Sequence, residues 1–508
     1  MSKETKFLII LTILLVASFF RLWDLNSVPP GLYPDVAMNG NDAIQALESG
    51  HFKVFYPENN GREGLFINLI ALSFKAFGPS VWSLRLMGAI AGILTVLALY
   101  FLTKELFNFE IASISSFMLA VSFWHVNFSR LGFRAILAPL ILILAFYFFW
   151  RGLKTAHILN FGVSGLFWGL GFYTYLSFRI TPLILILVML AYWQTIKRDY
   201  GRREYLHIRN RIIAGFALLM LVAIFVFMPL GIYYLKNPQD FMGRTGQLSV
   251  FSSEAPLKLF LLNLTKTFGM FNFDGDWNWR HNFAGSPQLF WPMGALFMVG
   301  FLKTCLSLFK YIKKGRKYHG HFSTIPVLIL SWFFIGLLPA ILSNEGVPHA
   351  LRVIMVIPPV FIMVGKGTWW FFEYLRSWYA QRDIHPQEAS AVVVLVIVIF
   401  MASLGFAEYS KYFDNWAKNK NVEDASNKNY TDLGYEINKM PLNVKKYVYV
   451  NVDGVLVQGI PVPAQTVMFI TDTSTPEKQK QKNIYYLTKE QYKNKEYDQN
   501  SIIFPLEK

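Results

Sequence analysis

Eleven runs of about seventeen to twenty-three predominantly apolar residues constrain this chain more than any motif in it. They lie near residues 7–23, 81–102, 109–126, 134–150, 157–174, 180–196, 212–234, 288–309, 323–343, 351–372 and 389–407. A hydrocarbon core of about 30 Å takes roughly 20 apolar residues per helix, so each run reads as a membrane span. Of 508 residues, 54% are apolar and 16% charged, against about 25% charged in an ordinary soluble domain. The expected fold class is therefore an all-α, polytopic membrane protein with about eleven transmembrane helices. A twelfth apolar stretch, Leu65 to Phe77, is short and contains Lys75, and reads as a surface helix.

Basic residues set the orientation. Lys197 to Arg211 and Lys310 to His321 hold dense basic clusters, and short loops of this kind stay in the cytoplasm. The N-terminus then lies inside, in a multi-pass plasma-membrane topology. The loop around Asp35, the segment Lys236 to Pro287, the turn Ser343 to His349 and the tail after Glu408 lie outside. The net charge of +16 resides mostly in inner loops and a lysine-rich tail, where anionic membrane lipids are the natural partners and nucleic acid is not. The single cysteine, Cys305, excludes an intrachain disulfide.

Two outer segments carry chemistry-bearing residues. Asp24 to Gly64 is too long for a simple connector. In it Asp35 reads as the cap of a helix from Val36 to Ser49 ending at Gly50, lying on the membrane surface. Glu63 stands just before the Leu65 helix, Arg62 beside it, and Asp42 and Glu48 read as solvated loop charges. The other segment, Phe273 to Asn282, contains Asp274, Asp276, Trp277, Arg280 and His281, a mixture suited either to a polar substrate at the membrane face or to an interfacial aromatic belt. From Glu408 onward the composition turns to Lys, Asn, Asp and Tyr. A helix is expected over Tyr430 to Met440, with strands at Tyr447 to Val452, Thr466 to Ile470 and Ile484 to Leu487. The chain thus divides into a transmembrane part, 1–408, and a small α/β domain, 409–508. The sequons at Asn127, Asn263 and Asn429 are short patterns of low specificity.

The acid of the first outer loop, Gly61-Arg62-Glu63-Gly64-Leu65, Ser83-Leu84-Arg85-Leu86, Ser129-Arg130-Leu131-Gly132-Phe133-Arg134 and Pro348-His349-Ala350-Leu351-Arg352 together resemble the GT-C glycosyltransferases. The similarity is to the branch with protein O-mannosyltransferases, lipid A aminoarabinose transferases and RgtA/B/C/D-like bacterial enzymes, over roughly residues 1–375. It implies a GT-C fold and transfer of a sugar from a polyprenyl-phosphate donor. By position it makes Asp35 the catalytic acid residue and Glu63 and His281 ligands of a divalent metal. Val36, Ala138 and Gly64 depart from the pattern, the last replacing a lysine of the aminoarabinose branch.

The chemistry of such a donor agrees. A polyprenyl phosphate leaves as an anion and needs no general acid, only a base for the acceptor hydroxyl and cations or a metal (Zn, Mn or Mg) for the phosphate. Asp35 is the expected base, with inversion. Arg62, Arg280 and Arg352 are the expected phosphate partners; Asp274, Asp276 and Trp277 are expected to meet sugar or acceptor, whether glycan, lipid or protein. A transporter or lipid-linked-glycan flippase or polymerase is the rival class, but it would place ionisable groups mid-membrane, whereas here they gather at helix ends and in outer loops.

Overall fold

The computed structural model describes residues 1–247, 249–314, 324–381 and 386–507. Each of the eleven apolar runs forms helix. They are α1 (Lys3–Leu22), α4 (Val81–Leu106), α5 and α6 (Phe109–Val121 and Phe123–Leu131), α7 (Leu137–Thr155), α8 (Ile158–Gly171), α9 (Pro182–Asp199), α10 (Arg202–Lys236), α13 (Trp291–Lys314), α14 (Ile325–Ile341), α15 (Ile357–Ala380) and α16 (Pro386–Tyr409). Between them lie the helices α2 (Pro34–Ser49), α3 (Leu65–Phe77), α11 (Pro238–Gln247) and α12 (Pro256–Gly269). Among the described residues eight helices are long and apolar enough to cross a membrane, and the α5–α6 pair, bent by 56°, makes a ninth. The chain is a multi-pass membrane protein. Helices α8 and α14 are shorter, at 14 and 17 residues.

Three sequence expectations change. The segment Lys197 to Arg211 is no loop, since α9 and α10 run through it with a break only at Tyr200-Gly201. Of the second basic segment, residues to Lys314 continue α13 and the rest lies outside the described residues. The third span breaks at Ser122. The Phe123 N–H, freed by that break, donates to Glu408 Oε2 at 3.1 Å. All nine residues of α6 are buried, so a polar helix carrying His125, Asn127, Ser129 and Arg130 sits inside the bundle.

Arginines of this interior organise the loop between α1 and α2. Arg130, fully buried, donates to the carbonyls of Phe20, Trp23, Asp24 and Val28 at 2.7–3.1 Å. Arg85 does the same for Leu25, Asn26 and Gly31. A helix end leaves carbonyls without intrahelical partners, and a cation there meets both the missing hydrogen bonds and the negative end of the dipole. These two side chains therefore fix the C-terminus of α1 and the loop that leads into α2. Arg21 holds Leu119 and Ala120 carbonyls and His125 Nδ1 at 2.7–3.2 Å. As Arg only donates, this Nδ1 accepts.

Helix α2 differs from expectation in two ways. Its N-cap position is Tyr33, Pro34 begins it, and Asp35 lies in the first turn rather than at the cap; Gly50, at φ 72°, ends it as expected. It does not lie bare on a membrane surface. Ten of its residues are buried, with α3 and α4 on one side and the tail on the other. A Cβ at Gly40 would come within 2.6 Å of Phe469 and 2.7 Å of Leu84, so only glycine permits this approach.

The tail begins as a continuation of α16 through a π-helical stretch, Ser410–Trp416, whose Tyr412, Phe413 and Trp416 are buried. Helices α17 (Lys420–Ala425) and α18 (Lys428–Asn438) follow. The parallel three-stranded sheet joins Ile484–Leu487, Lys446–Val450 and Ile502–Leu506 in that order. Two expected strands are present and the last was not anticipated. Thr466 to Ile470, expected as a strand, is the helix α19 (Gln465–Thr471). Its run of β-branched and aromatic residues suits a strand by propensity. Tertiary packing decides otherwise: as a helix it sends Val467 and Met468 to the tail core and Phe469 against Phe74 of α3 at 6.0 Å.

Candidate active site

With the α1–α2 loop pinned, Asp35 sits half-buried at the start of α2. Asn59 Nδ2 donates to its Oδ1 at 2.8 Å; Asn59 manages this from a left-handed conformation, φ 52°. The Oδ2 carries no hydrogen bond among the described residues. Tyr33, two positions earlier, stacks under the Arg280 guanidinium, 3.5 Å from its ring centroid. Burial pushes the Tyr33 hydroxyl up, with Arg280 opposing and the Asp35 carboxylate adding to it, so acid, phenol and guanidinium share one field.

Arg280 is held in turn. Its backbone carbonyl accepts from Asn127 Nδ2 at 2.8 Å, and its guanidinium donates to the Ala425 carbonyl of the tail at 3.3 Å. Trp416 donates to the carbonyls of Trp279 and Asn282 at 2.8 and 3.2 Å. The sequons at Asn127 and Asn263 are thus spent on structure, both being buried.

Next to Arg280, His281, His349 and Asp276 form a cluster whose ligand atoms lie within 4.8 Å of one another. His281 Nδ1 meets Asp276 Oδ2 at 3.1 Å, and the two imidazole centroids are 4.9 Å apart. Burial lowers both histidines, His349 to about 3, where His281 adds to the effect. Burial alone would raise Asp276, but His281, His349 and the Asn278 N–H overcome it and hold the carboxyl low. Two neutral imidazoles with a carboxylate are the donor chemistry of zinc or manganese. Asp276, however, already accepts from the N–H groups of Asn278 and Ala350, both at 2.8 Å. The set therefore fits an ion held through imidazole nitrogen, with Asp276 orienting His281 from behind.

The cluster has a consequence for stability. A histidine kept neutral when folded takes up a proton more readily when unfolded, so stability rises with pH wherever only the unfolded form is protonated. For His349 that window runs from about 3 up to the ordinary histidine value near 6.5. The melting temperature should fall as pH drops through this range, and His349→Gln should flatten the fall.

The remaining expected site residues are distributed differently from the sequence reading. Arg62 is buried and turned inward, to Asp42 Oδ2 at 2.6 Å and Asn39 Oδ1 at 2.9 Å. Asp42 is correspondingly no solvated charge; burial raises its carboxyl and Arg62 opposes that rise. Glu63, expected beside His281, is held by Arg134 Nε at 2.8 Å and is not among the three clustered donors. Asp276 is a buried structural acceptor rather than an open sugar ligand. Asp274 accepts from the exposed Trp277 at 3.3 Å. The two acids of this loop therefore stand in different surroundings, because backbone N–H groups claim Asp276.

Arg352 reaches the Ser343 hydroxyl and the Glu345 carbonyl. With Arg179 it borders a cavity of about 400 Å³ whose other walls include Leu176, Ile180, Phe251, Leu338 and Leu342. Arg134 lies over Tyr175 of the same cavity at 5.9 Å. Arg134, Arg179 and His349 were not chosen from sequence as site residues. The first and last stand in motifs already singled out; Arg179 carries no signal beyond a lone cation between apolar runs.

The site of acid, arginine and imidazole thus sits at one end of a bundle of membrane-type helices. The chain has the GT-C fold. Residues 65–233 match the family model of dolichyl-phosphate-mannose-protein mannosyltransferase, and the resemblance read from sequence is borne out. The archaeal oligosaccharyltransferase AglB from Archaeoglobus fulgidus, in complex with an inhibitory peptide and a dolichol-phosphate, is similar in structure. Its TM-score is 0.56 at 12% identity, with 92% of this chain and 64% of that one covered. The present chain thus spans less than two thirds of that relative's length. ArnT from Cupriavidus metallidurans, bound to undecaprenyl phosphate, gives a TM-score of 0.53 at 13% identity, covering 96% of this chain and 90% of ArnT. A second structure of the Archaeoglobus enzyme, a complex with Zn and sulfate, gives 0.51 at 12% identity, with coverage of 94% and 62%. No curated protein sequence matches the chain.

Proposed function

We propose that this protein transfers a sugar from a polyprenyl-phosphate donor to an acceptor on the outer side of the plasma membrane, with inversion and with Asp35 as base. The observation that carries this reading is the amphiphilic cavity: apolar walls suited to a prenyl chain end at Arg179 and Arg352, and Arg352 follows His349 by three residues. The structural likeness to proteins solved with dolichol-phosphate and undecaprenyl phosphate supports it. The N-terminus and the basic ends of α9, α10 and α13 are assigned to the cytoplasm, and 409–508 to an outer domain.

Asp35 has one oxygen steadied by Asn59 and one available to an acceptor hydroxyl. The proton moves as the anomeric carbon loses phosphate, when the acceptor oxygen becomes acidic. No enzyme nucleophile is required, so acceptor and leaving phosphate occupy opposite faces. Arg352 and Arg179, with Arg280 nearer the acid, bring positive charge to that phosphate from guanidinium groups already held by neighbouring carbonyls and hydroxyls. A divalent ion, if bound through His281 and His349, would add further charge stabilisation there.

The test is release of lipid phosphate and glycosylated product by purified protein supplied with polyprenyl-phosphate sugars, matched by mass spectrometry of surface glycans in cells with and without the protein. A protein that binds but never turns over such donors would refute the assignment and favour a transporter. Within it, Arg352→Gln should raise the donor KM roughly tenfold or more, the loss of one charge-assisted bond, with a smaller change in kcat.

A further inference from the structure

A polar cleft runs between α2 and the tail. Two cavities, of about 170 and 420 Å³, adjoin there and share Asp42 and Gln45 as lining residues. The α2 wall offers Asn41 and Gln45, and the tail wall offers Ser474 and Gln479. Two of these are buried polar groups with an unmade hydrogen bond. Asn41, 2% exposed, spends its Nδ2 on Gln465 Oε1 and the Gln465 carbonyl at 2.8 and 3.1 Å, which leaves Oδ1 without a partner. Ser474, 7% exposed, has an unpartnered hydroxyl. Leaving such atoms unsatisfied costs about 1–3 kcal/mol each, so they mark a place where a ligand can supply what the fold withholds.

Glu58, His51 and Lys53 line the cleft only at its exposed rim, and the charges deeper in it are paired. Asp42 is paired with Arg62 and Glu48 with Lys478 at 2.6 Å, so an ionic ligand would meet no unspent counter-charge on these groups. Away from the rim, the polar lining that carries no charge is amides and a hydroxyl, Asn41, Gln45, Gln465, Gln479 and Ser474, groups that both donate and accept, as sugar hydroxyls do. Met38 and Met468 add adaptable apolar surface for the C–H faces of a ring. The cleft also leads to the acid. Glu58 lines it and the next residue, Asn59, holds Asp35. Along α2, Asn41 stands six residues from Asp35, about 9 Å at 1.5 Å per residue.

Resting on the transferase reading above, we propose that this cleft is the acceptor subsite, that it takes an uncharged saccharide, and that it holds the chain behind the unit whose hydroxyl reaches Asp35. The tail then selects the acceptor while the membrane part holds the donor.

The experiment uses the full-length protein in nanodiscs, with maltotriose and cellotriose as probes and an end-capped uncharged tripeptide as the competing class. Saturation-transfer NMR should detect binding of at least one trisaccharide to the native protein and to Asp35→Asn. The pair Gln45→Leu with Gln479→Leu, chosen at positions not fully buried, should weaken it about tenfold or more. Undecaprenyl-phosphate binding and melting temperature should stay unchanged in that variant. Absence of trisaccharide binding, equal binding by the double variant, or occupation of the cleft by the tripeptide instead would each overturn the proposal. Failure to bind undecaprenyl phosphate, or absence of any transfer from polyprenyl-phosphate sugars by the native protein, would strike the transferase reading alone, because the saccharide binding is measured without either.

Discussion

Asp35→Asn should insert and fold as the native protein does, bind a polyprenyl-phosphate sugar, and transfer it at least about a hundredfold more slowly. General-base catalysis typically contributes 10²- to 10⁴-fold, and the amide retains the shape and the Asn59 contact while losing the proton acceptor. The contact is 2.8 Å from Asn59 Nδ2 to Oδ1, and the carbonyl oxygen of the substituted amide can still receive it. Single-turnover transfer on purified protein, with donor binding measured separately, reads the two effects apart. Near-normal turnover would take Asp35 out of the mechanism and make Glu63, 3% exposed and held by Arg134, the next acid to test.

The second large effect is on stability. Arg130→Met keeps much of the apolar stem but removes every donor to the carbonyls of Phe20, Trp23, Asp24 and Val28. A buried polar group without a partner costs about 1–3 kcal/mol. Even with partial relaxation, four such acceptors should cost at least about 3 kcal/mol. The expected result is a marked fall in melting temperature of detergent-solubilised protein and in membrane yield, with Arg130→Lys intermediate because one ammonium can serve some of the four carbonyls. A change of under about 1 kcal/mol would mean that the loop holds its shape without the guanidinium. Since the same loop delivers α2, the variant should also lose turnover, unlike Asp35→Asn, which should lose turnover alone.

Local patterns carried the parts of the fold that depend on burial in lipid. Each of the eleven apolar runs became helix because an unpaired backbone polar group in hydrocarbon costs too much for any other local solution. Gly50 ended α2 as the motif required, since the left-handed turn there favours glycine. Expectations that depended on a partner fared less well. Thr466 to Ile470 has strand-like residues and is helical because α2 and α3 supply a surface for one face. Arg62 has the chemistry of a phosphate ligand, yet Asp42 and Asn39 reach it first. Asp274 and Asp276 look alike in sequence; the loop folds one inward onto the N–H groups of Asn278 and Ala350 and leaves the other beside Trp277.

By itself, the sequence determined a multi-pass helical membrane protein, an outer loop with Asp35 at the start of a helix, and a likeness to the GT-C superfamily, all of them properties of short segments and their hydrophobicity. Only the tertiary structure decided which charges are already neutralised, that Glu63 belongs to Arg134 and His281 to Asp276 and His349, and that the tail closes over α2. Those outcomes turn on side chains separated by tens to hundreds of residues. The energy of a buried charge or amide depends on what sits within a few ångströms of it, and no local pattern encodes that.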